Sequence, residues 1–249
     1  MRIAVAGADK TGLILAVCLA EAGHHVICFD SNIEKVNILE KGISPIYEPG
    51  LESLLEKNLS SRNLQFTTDP ANAFSEVQII FIAVETPEKQ DGSPDLSYIY
   101  AACYTIADHM ENNLIVCLKS KVPVGTANEV KQIIDIRRPS HLQVNVSVNP
   151  YFHREGSAIM DFFLNDRIVV GTDNPEAASI MEQLFLPLKI PIFFTDIKNA
   201  EMIQYASYRF YETKMSFLNE MTHLCEKVGA NFKEVAYGIG MDYQSGRKS

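Results

Sequence analysis

The chain has no excess of positive charge: 22 Lys and Arg stand against 31 Asp and Glu, a net charge of -9 at pH 7. Nucleic acid and anionic membrane surfaces select for a basic face, so neither is an expected partner. A C-x-x-C pair is also missing. The cysteines Cys18, Cys28, Cys103, Cys117 and Cys225 are widely spaced, which argues for buried reduced thiols and against disulfides or a cysteine metal site. His24 and His25 are adjacent, and His109, His141, His153 and His223 show no metal-ligand spacing, so no metal is expected. No apolar run approaches the roughly 18 to 20 residues needed to span a bilayer. Asp9 and Lys10 interrupt the apolar start of the chain. A strand, a turn and a helix explain that pattern better than an export signal does, and a cytoplasmic location is expected. Repeats and low-complexity segments are absent as well.

What is there is 249 residues with 47% apolar content, enough for one large domain, or one domain with a smaller appendage, around a buried core. Short β-branched runs at Ile3–Ala6, His25–Phe29, Leu64–Thr68, Val77–Val84, Leu114–Leu118 and Val144–Val148 alternate with helical patterns at Gly12–Ala22, Asn32–Lys41, Leu51–Leu59, Leu96–Met110 and Val124–Ile136. The fourth helix is expected to be N-capped by Asp95. Arg167–Gly171 and Ile190–Thr195, flanking a helix at Pro175–Leu186, add two more strands. Such alternation predicts an α/β fold, a Rossmann-like doubly wound parallel sheet. From about Ala200 the pattern becomes one long helix with Ile203, Ala206, Phe210, Phe217, Met221, Leu224 and Val228 at three- and four-residue spacing. This divides the chain into a dinucleotide-binding domain, 1–197, and a helical region, 198–249. The apolar stripe either packs on the sheet domain or meets the same helix of a second subunit. Tyr243–Ser249 is expected to fray.

After the first strand comes Gly7-Ala8-Asp9-Lys10-Thr11-Gly12, where a dinucleotide fold carries G-x-G-x-x-G. Gly7 is placed to make the turn and Gly12 to let helix and strand pack closely. The second position, which lets backbone approach a pyrophosphate, is Asp9. A carboxylate about 4 Å from a phosphate charge, at an effective dielectric of about 20, costs on the order of 4 kcal/mol. Turning toward solvent, or pairing with Lys10, would reduce that cost. Asp30 follows at the end of the second strand, either to accept from ribose hydroxyls or to N-cap the helix near Asn32. Lys35 on its own reads as a solvated surface charge.

Two further segments, Lys119-Ser120-Lys121-Val122-Pro123-Val124-Gly125-Thr126 and Asn149-Pro150-Tyr151-Phe152-His153-Arg154-Glu155-Gly156-Ser157-Ala158, resemble the K-S-T-V-P-V-G-T and N-P-E-F-L-R-E-G-S-A loops of the UDP-glucose/GDP-mannose 6-dehydrogenases. Ile46-Tyr47-Glu48-Pro49-Gly50-Leu51, Asp91-Gly92-Ser93, Asp95-Leu96-Ser97-Tyr98 and Asp166-Arg167-Ile168-Val169-Val170-Gly171-Thr172-Asp173 extend the resemblance over essentially the whole chain. It implies NAD as cofactor, bound weakly here, and a nucleotide or nucleotide-sugar ligand. Cofactor contacts carry over onto Gly7, Gly12, Asp30, Lys35, Thr86, Ser120 and Glu155. Thr86 belongs to Val84-Glu85-Thr86-Pro87, which resembles the family's V-G-T-P loop with Glu85 as a second acidic intrusion. The resemblance also implies a homodimer built on the 200–228 helix.

The family oxidises the C6 alcohol of a nucleotide sugar in two NAD-dependent steps through a cysteine adduct. Carried over one position at a time, its water-ordering threonine is Lys121, its loop glutamate Tyr151, its helix lysine Gln204 and its asparagine Tyr208. Its nucleophile belongs to a G-G-S-C-F-P-K-D segment, which the sequence does not reach by Ser249. No catalytic residue is therefore assigned. Lys121 either fills space or replaces the lysine lost at 204. Tyr151, Tyr205, Tyr208 and Tyr211 serve either packing or base stacking, and Arg154 either contacts ligand or is paired on the surface. The expectation is a catalytically silent homologue. The alternatives are an NAD-dependent oxidoreductase with a rearranged site and a fragment completed by another chain.

Overall fold

In the computed structural model, residues 1–241 are described, and the expected fraying at Tyr243–Ser249 lies outside them. The chain divides into two compact units, Met1–Gln204 and Tyr205–Ser249.

The first unit is built on strands β1 (Arg2–Ala6), β2 (His25–Phe29), β3 (Leu64–Thr67), β4 (Ile79–Ile82), β5 (Leu114–Leu118), β6 (Val144–Val148), β7 (Ile168–Gly171) and β8 (Ile192–Thr195). Among the described residues they form one sheet in the order β3-β2-β1-β4-β5-β6-β7-β8. β1 pairs in parallel with both β2 (Arg2↔His25) and β4 (Ile3↔Ile79). The strand order thus reverses at β1, the point where such sheets open a crevice at their carboxyl ends. Around the sheet lie α1 (Lys10–Glu21), α2 (Ile33–Leu39), α3 (Leu51–Ser60), α4 (Pro70–Phe74), α5 (Ser97–His109), α6 (Thr126–Arg137), α7 (Ala158–Phe163) and α8 (Pro175–Phe185). The short α4 and α7 were not expected from the periodicity.

Alternation along β1 explains the two layers. Ile3 and Val5 join the core that includes α1, α3 and α8, while Ala4 and Ala6 join the core on the other face with α5 and α6. Local chemistry sets the helix starts. The Asn32 side chain accepts from Glu34 and Lys35 N–H, that of Asp69 from Ala71 N–H, and that of Asn174 from Ala177 N–H ahead of Pro175. At α5 the N-cap position is Leu96, and the expected capping residue, Asp95, accepts instead from Ser97 N–H at 3.0 Å.

The sheet is not parallel throughout. β7 pairs antiparallel to β6 through the single register Val148↔Gly171, and β8 runs parallel to β7. The connection between β6 and β7 carries only the six-residue α7, about 9 Å long. Since it runs antiparallel to β6, β7 starts from the carboxyl end of the sheet. Gly171 is held where a Cβ would come within 2.4 Å of the Ala200 Cβ.

Helix α9 (Ile197–Val228) starts in the first unit and continues through the second, which also holds α10 (Phe232–Met241). Gly229, at φ +73°, ends α9, and the Asn231 side chain accepts from Lys233 N–H to start α10. In the second unit Phe210, Phe217, Leu224 and Val228 are exposed, while Cys225 is buried. The five cysteines are all free and buried.

Candidate functional site

The turn after β1 is shaped by two glycines. Gly7 has φ +104°, donates its N–H to Phe29 O at 2.8 Å, and leaves no room for a Cβ, which would lie 2.9 Å from Ala83 O. At Gly12 a Cβ would lie 1.9 Å from Gly7 O, so the start of α1 is pressed onto the turn as close as backbone allows. The first N–H groups of α1 lack intrahelical partners by construction and stand at the strand-order reversal, a setting that favours an anion. Asp9 holds the N-cap position but makes no side-chain cap bond.

Its carboxylate turns instead to Lys35, whose Nζ lies 2.5 Å from Asp9 Oδ1 and 3.0 Å from Asp30 Oδ2. This corrects two expectations. The partner of Asp9 is Lys35 rather than Lys10 or solvent, because Lys10 is taken by Glu155 at 2.6 Å. Lys35 is not a solvated surface charge: burial works against its charged form, but the hydrogen bonds to Asp9 and Asp30 outweigh it and raise its pKa. Nor does Asp30 cap α2, since Asn32 does. Asp30 is buried and accepts from Ala8 N–H at 2.9 Å, Asn32 N–H at 3.0 Å and Lys35. This fixes its carboxylate beside the glycine turn.

The loops after β4 and β5 complete this side. Ser120 Oγ donates to Val84 O at 2.6 Å, and Thr86 Oγ1 donates to Lys121 O at 2.8 Å. Val84 also touches the space above Gly7, so Gly7, Gly12, Asp30, Lys35 and Ser120 lie together around the turn after β1, and Thr86 adjoins them through Lys121. Glu155 joins through Lys10. Glu85 and Lys121 are exposed. The β5 loop is tied down by Glu201, a fully buried residue whose carboxylate accepts from Gly125 N–H at 2.7 Å and Ala127 N–H at 2.8 Å, at the start of α6. One turn further along α9, Gln204 is 4% exposed, and among the described residues neither of its amide atoms finds a hydrogen-bond partner.

The loop after β6 has its own clamps. Lys119 Nζ donates to Asn149 Oδ1 at 2.8 Å and Pro150 O at 3.3 Å, and Asn149 Nδ2 donates to Val169 O. Burial pulls the Lys119 pKa down to about 8. Its ammonium lies 5.9 Å from the Tyr151 ring, and burial raises the Tyr151 pKa so that the phenol keeps its proton. His153 stacks edge-on against Tyr151, with its Nδ1 buried and unpartnered among the described residues. A cavity of about 20 Å³ lies beneath, lined by Lys119, Asn149 and His153 among others. Glu48 caps the far end of this loop, accepting from Gly156 N–H at 3.0 Å and Ala158 N–H at 2.7 Å. Arg154 binds Asp161 through its N–H, Nε and Nη2. Tyr205, Tyr208 and Tyr211 are each about half exposed.

Glu48, Lys119, Asn149 and Glu201 position the site loops without having been singled out from sequence. Glu48 lay inside a quoted motif, but nothing in the chain announces partners as distant as Gly156. Among the described residues, no group of three or more His, Cys, Asp or Glu could hold a metal ion, and no helix is long and apolar enough to cross a membrane.

Comparison with known proteins gives two family matches: the UDP-glucose/GDP-mannose dehydrogenase family NAD binding domain over residues 1–189, and the central domain of that family over residues 198–249. A UDP-glucose 6-dehydrogenase of Bacillus subtilis is 47% identical over 99% of this chain and 56% of its own length. A UDP-glucose dehydrogenase from Pyrobaculum islandicum superposes with a TM-score of 0.93 at 35% identity, over 98% of this chain and 57% of that one. A GDP-mannose dehydrogenase from Pseudomonas aeruginosa, solved as a ternary complex, gives 0.92 at 32% identity with the same coverages. The chain spans a little over half the length of the relatives it matches.

Proposed function

Because the chain belongs to the UDP-glucose/GDP-mannose dehydrogenase family, we propose that it is a dinucleotide-binding member that no longer oxidises a nucleotide sugar. The observation that carries the proposal is Gln204. The resemblance puts a lysine at this position of α9, and here a buried, neutral amide stands with no partner among the described residues. An oxidation that builds negative charge on oxygen is accelerated most by a fixed positive group beside it, and a neutral amide offers only the weaker stabilisation of a dipole. Tyr151 points the same way. Its pKa is raised by burial, so it is not the carboxylate that the resemblance calls for.

The residues present fit NAD. Gly7 and Gly12 leave a backbone cradle that a Cβ would fill, the start of α1 would receive the pyrophosphate, and Asp30 would accept from the ribose hydroxyls. When bound, NAD supplies a hydride acceptor. The chain's own part is to hold it: Ser120 and Thr86 lock the neighbouring loops, and Glu155 is anchored by Lys10. A nucleotide or nucleotide sugar is the second ligand of this reading. The exposed Phe210, Phe217, Leu224 and Val228 of α9 support a homodimer through the 200–228 helix, and the protein works in the cytoplasm.

The test is to incubate purified protein with NAD and either UDP-glucose or GDP-mannose, following absorbance at 340 nm, and to titrate NAD by calorimetry. NAD binding without NADH formation is the expected pair of results. Steady NADH formation refutes catalytic silence, and absence of NAD binding refutes the dinucleotide reading. Light scattering tests the dimer, which a monomeric mass would exclude.

A further inference from the structure

We infer that the Asp9–Lys35 ion pair does the work of the missing glycine: Lys35 sustains dinucleotide affinity by neutralising the charge of Asp9. The inference rests on the reading that the turn after β1 takes NAD. An aspartate at this position should fail on charge alone, because it stands at the very helix start that receives a pyrophosphate. Here the carboxylate is an N-cap that does not cap. It is turned across to Lys35 Nζ at 2.5 Å, and that ammonium is shared with Asp30 Oδ2 at 3.0 Å.

Three consequences follow from this geometry. The N–H groups of the first turn of α1 are not consumed by the aspartate beside them. The negative charge next to them is compensated within hydrogen-bond distance by a group that is itself only 21% exposed, so water screens the pair little. Finally, Lys35 is held on two carboxylates, Asp9 and Asp30. Removing Lys35 therefore does more than delete a cation: it uncovers Asp9 at the phosphate position and leaves Asp30 without one of its donors. In a chain carrying Asp9→Gly, the first and larger of these effects disappears.

The experiment is a thermodynamic cycle on the full chain. The NAD dissociation constant is measured by NMR titration to about 10 mM for wild type, Asp9→Gly, Lys35→Met and the double variant. Asp9→Asn is added as a variant that keeps side-chain bulk without charge, and circular dichroism checks that each protein is folded. Asp9→Gly and Asp9→Asn are expected to tighten binding by roughly tenfold. Lys35→Met is expected to weaken it by roughly a hundredfold in the wild-type background but by less than about fivefold in the Asp9→Gly background. Equal effects of Lys35→Met in both backgrounds overturn the inference. So does a wild type that fails to bind where Asp9→Gly binds, since the pair then does not stand in for glycine. If Asp9→Gly, Asp9→Asn and the wild type all fail to bind NAD, the functional reading itself fails.

Discussion

Replacing Glu201 with alanine should destabilise the first unit more than any surface substitution can. The side chain is fully buried, and its two oxygens accept from Gly125 N–H and Ala127 N–H, the opening donors of α6. Those donors have no intrahelical acceptor. Truncation leaves both without their acceptor, Ala127 N–H in the interior and Gly125 N–H partly buried, at up to roughly 1–3 kcal/mol each, and removes a carboxylate from the positive end of a helix, worth roughly 0.3–1 kcal/mol more. Against this stands the recovered cost of burying the charge, so the net loss should be about 3–5 kcal/mol. Glu201→Gln keeps one acceptor oxygen and should lose about half as much. Urea unfolding followed by circular dichroism gives the difference directly, and for a chain of this size each kcal/mol also lowers Tm by roughly 2–4 °C. A loss below about 1 kcal/mol for Glu201→Ala, or equal losses for Ala and Gln, would show that the carboxylate does not hold the β5 loop as described.

Gly12→Ala should prevent or severely weaken folding, by at least about 3 kcal/mol, because its Cβ falls 1.9 Å from Gly7 O with only backbone to give way; soluble protein with unchanged unfolding would contradict this. Gln204→Met should stabilise the chain by roughly 1–2 kcal/mol, since it removes a buried amide whose two polar atoms lack partners among the described residues; a lower urea midpoint would argue that the amide is satisfied after all. Burial, helped by Lys119 and opposed by Asp161, lowers His153 from 6.5 to about 3. The unfolded chain therefore takes up the proton first. The stability that His153 contributes is intact above pH 6.5 and is lost as pH falls from there toward 3, at up to roughly 1.4 kcal/mol per pH unit. His153→Phe should flatten that part of the pH–stability curve, and an unchanged slope in urea melts across the acid range would rule His153 out as its source.

Much of the sheet could be read from sequence because β1 to β6 advertise themselves: β1, β2, β4 and β5 are short, largely apolar runs buried on both faces, and β3 and β6 alternate apolar with polar residues. The reversal at β7 could not be read. Ile168–Gly171 looks the same in sequence whichever way it runs, and its direction is set by the path of the connection before it. Short helices α4 and α7 span too few turns to show a period. At the candidate site, the turn at Gly7 and the close packing at Gly12 were legible because both are local to a strand end. Lys35 was legible as a position, but not as the partner of Asp9. Glu48 and Glu201 were hidden because each carboxylate meets N–H groups that are far away along the chain, and hydrophobic periodicity carries no information about such pairings.

The seam between β6 and β7 sets where the first unit yields. With one register pair, Val148↔Gly171, and the Asn149 amide reaching Val169 O, the ladder there is far thinner than the five-register pairing of β5 with β6. Amide protons of β7 and β8 should therefore exchange with solvent as a group, ahead of β1, β4 and β5. In that event the outer ribbon peels away and carries the start of α9 with it through the tight Gly171–Ala200 contact, while the glycine turn stays folded.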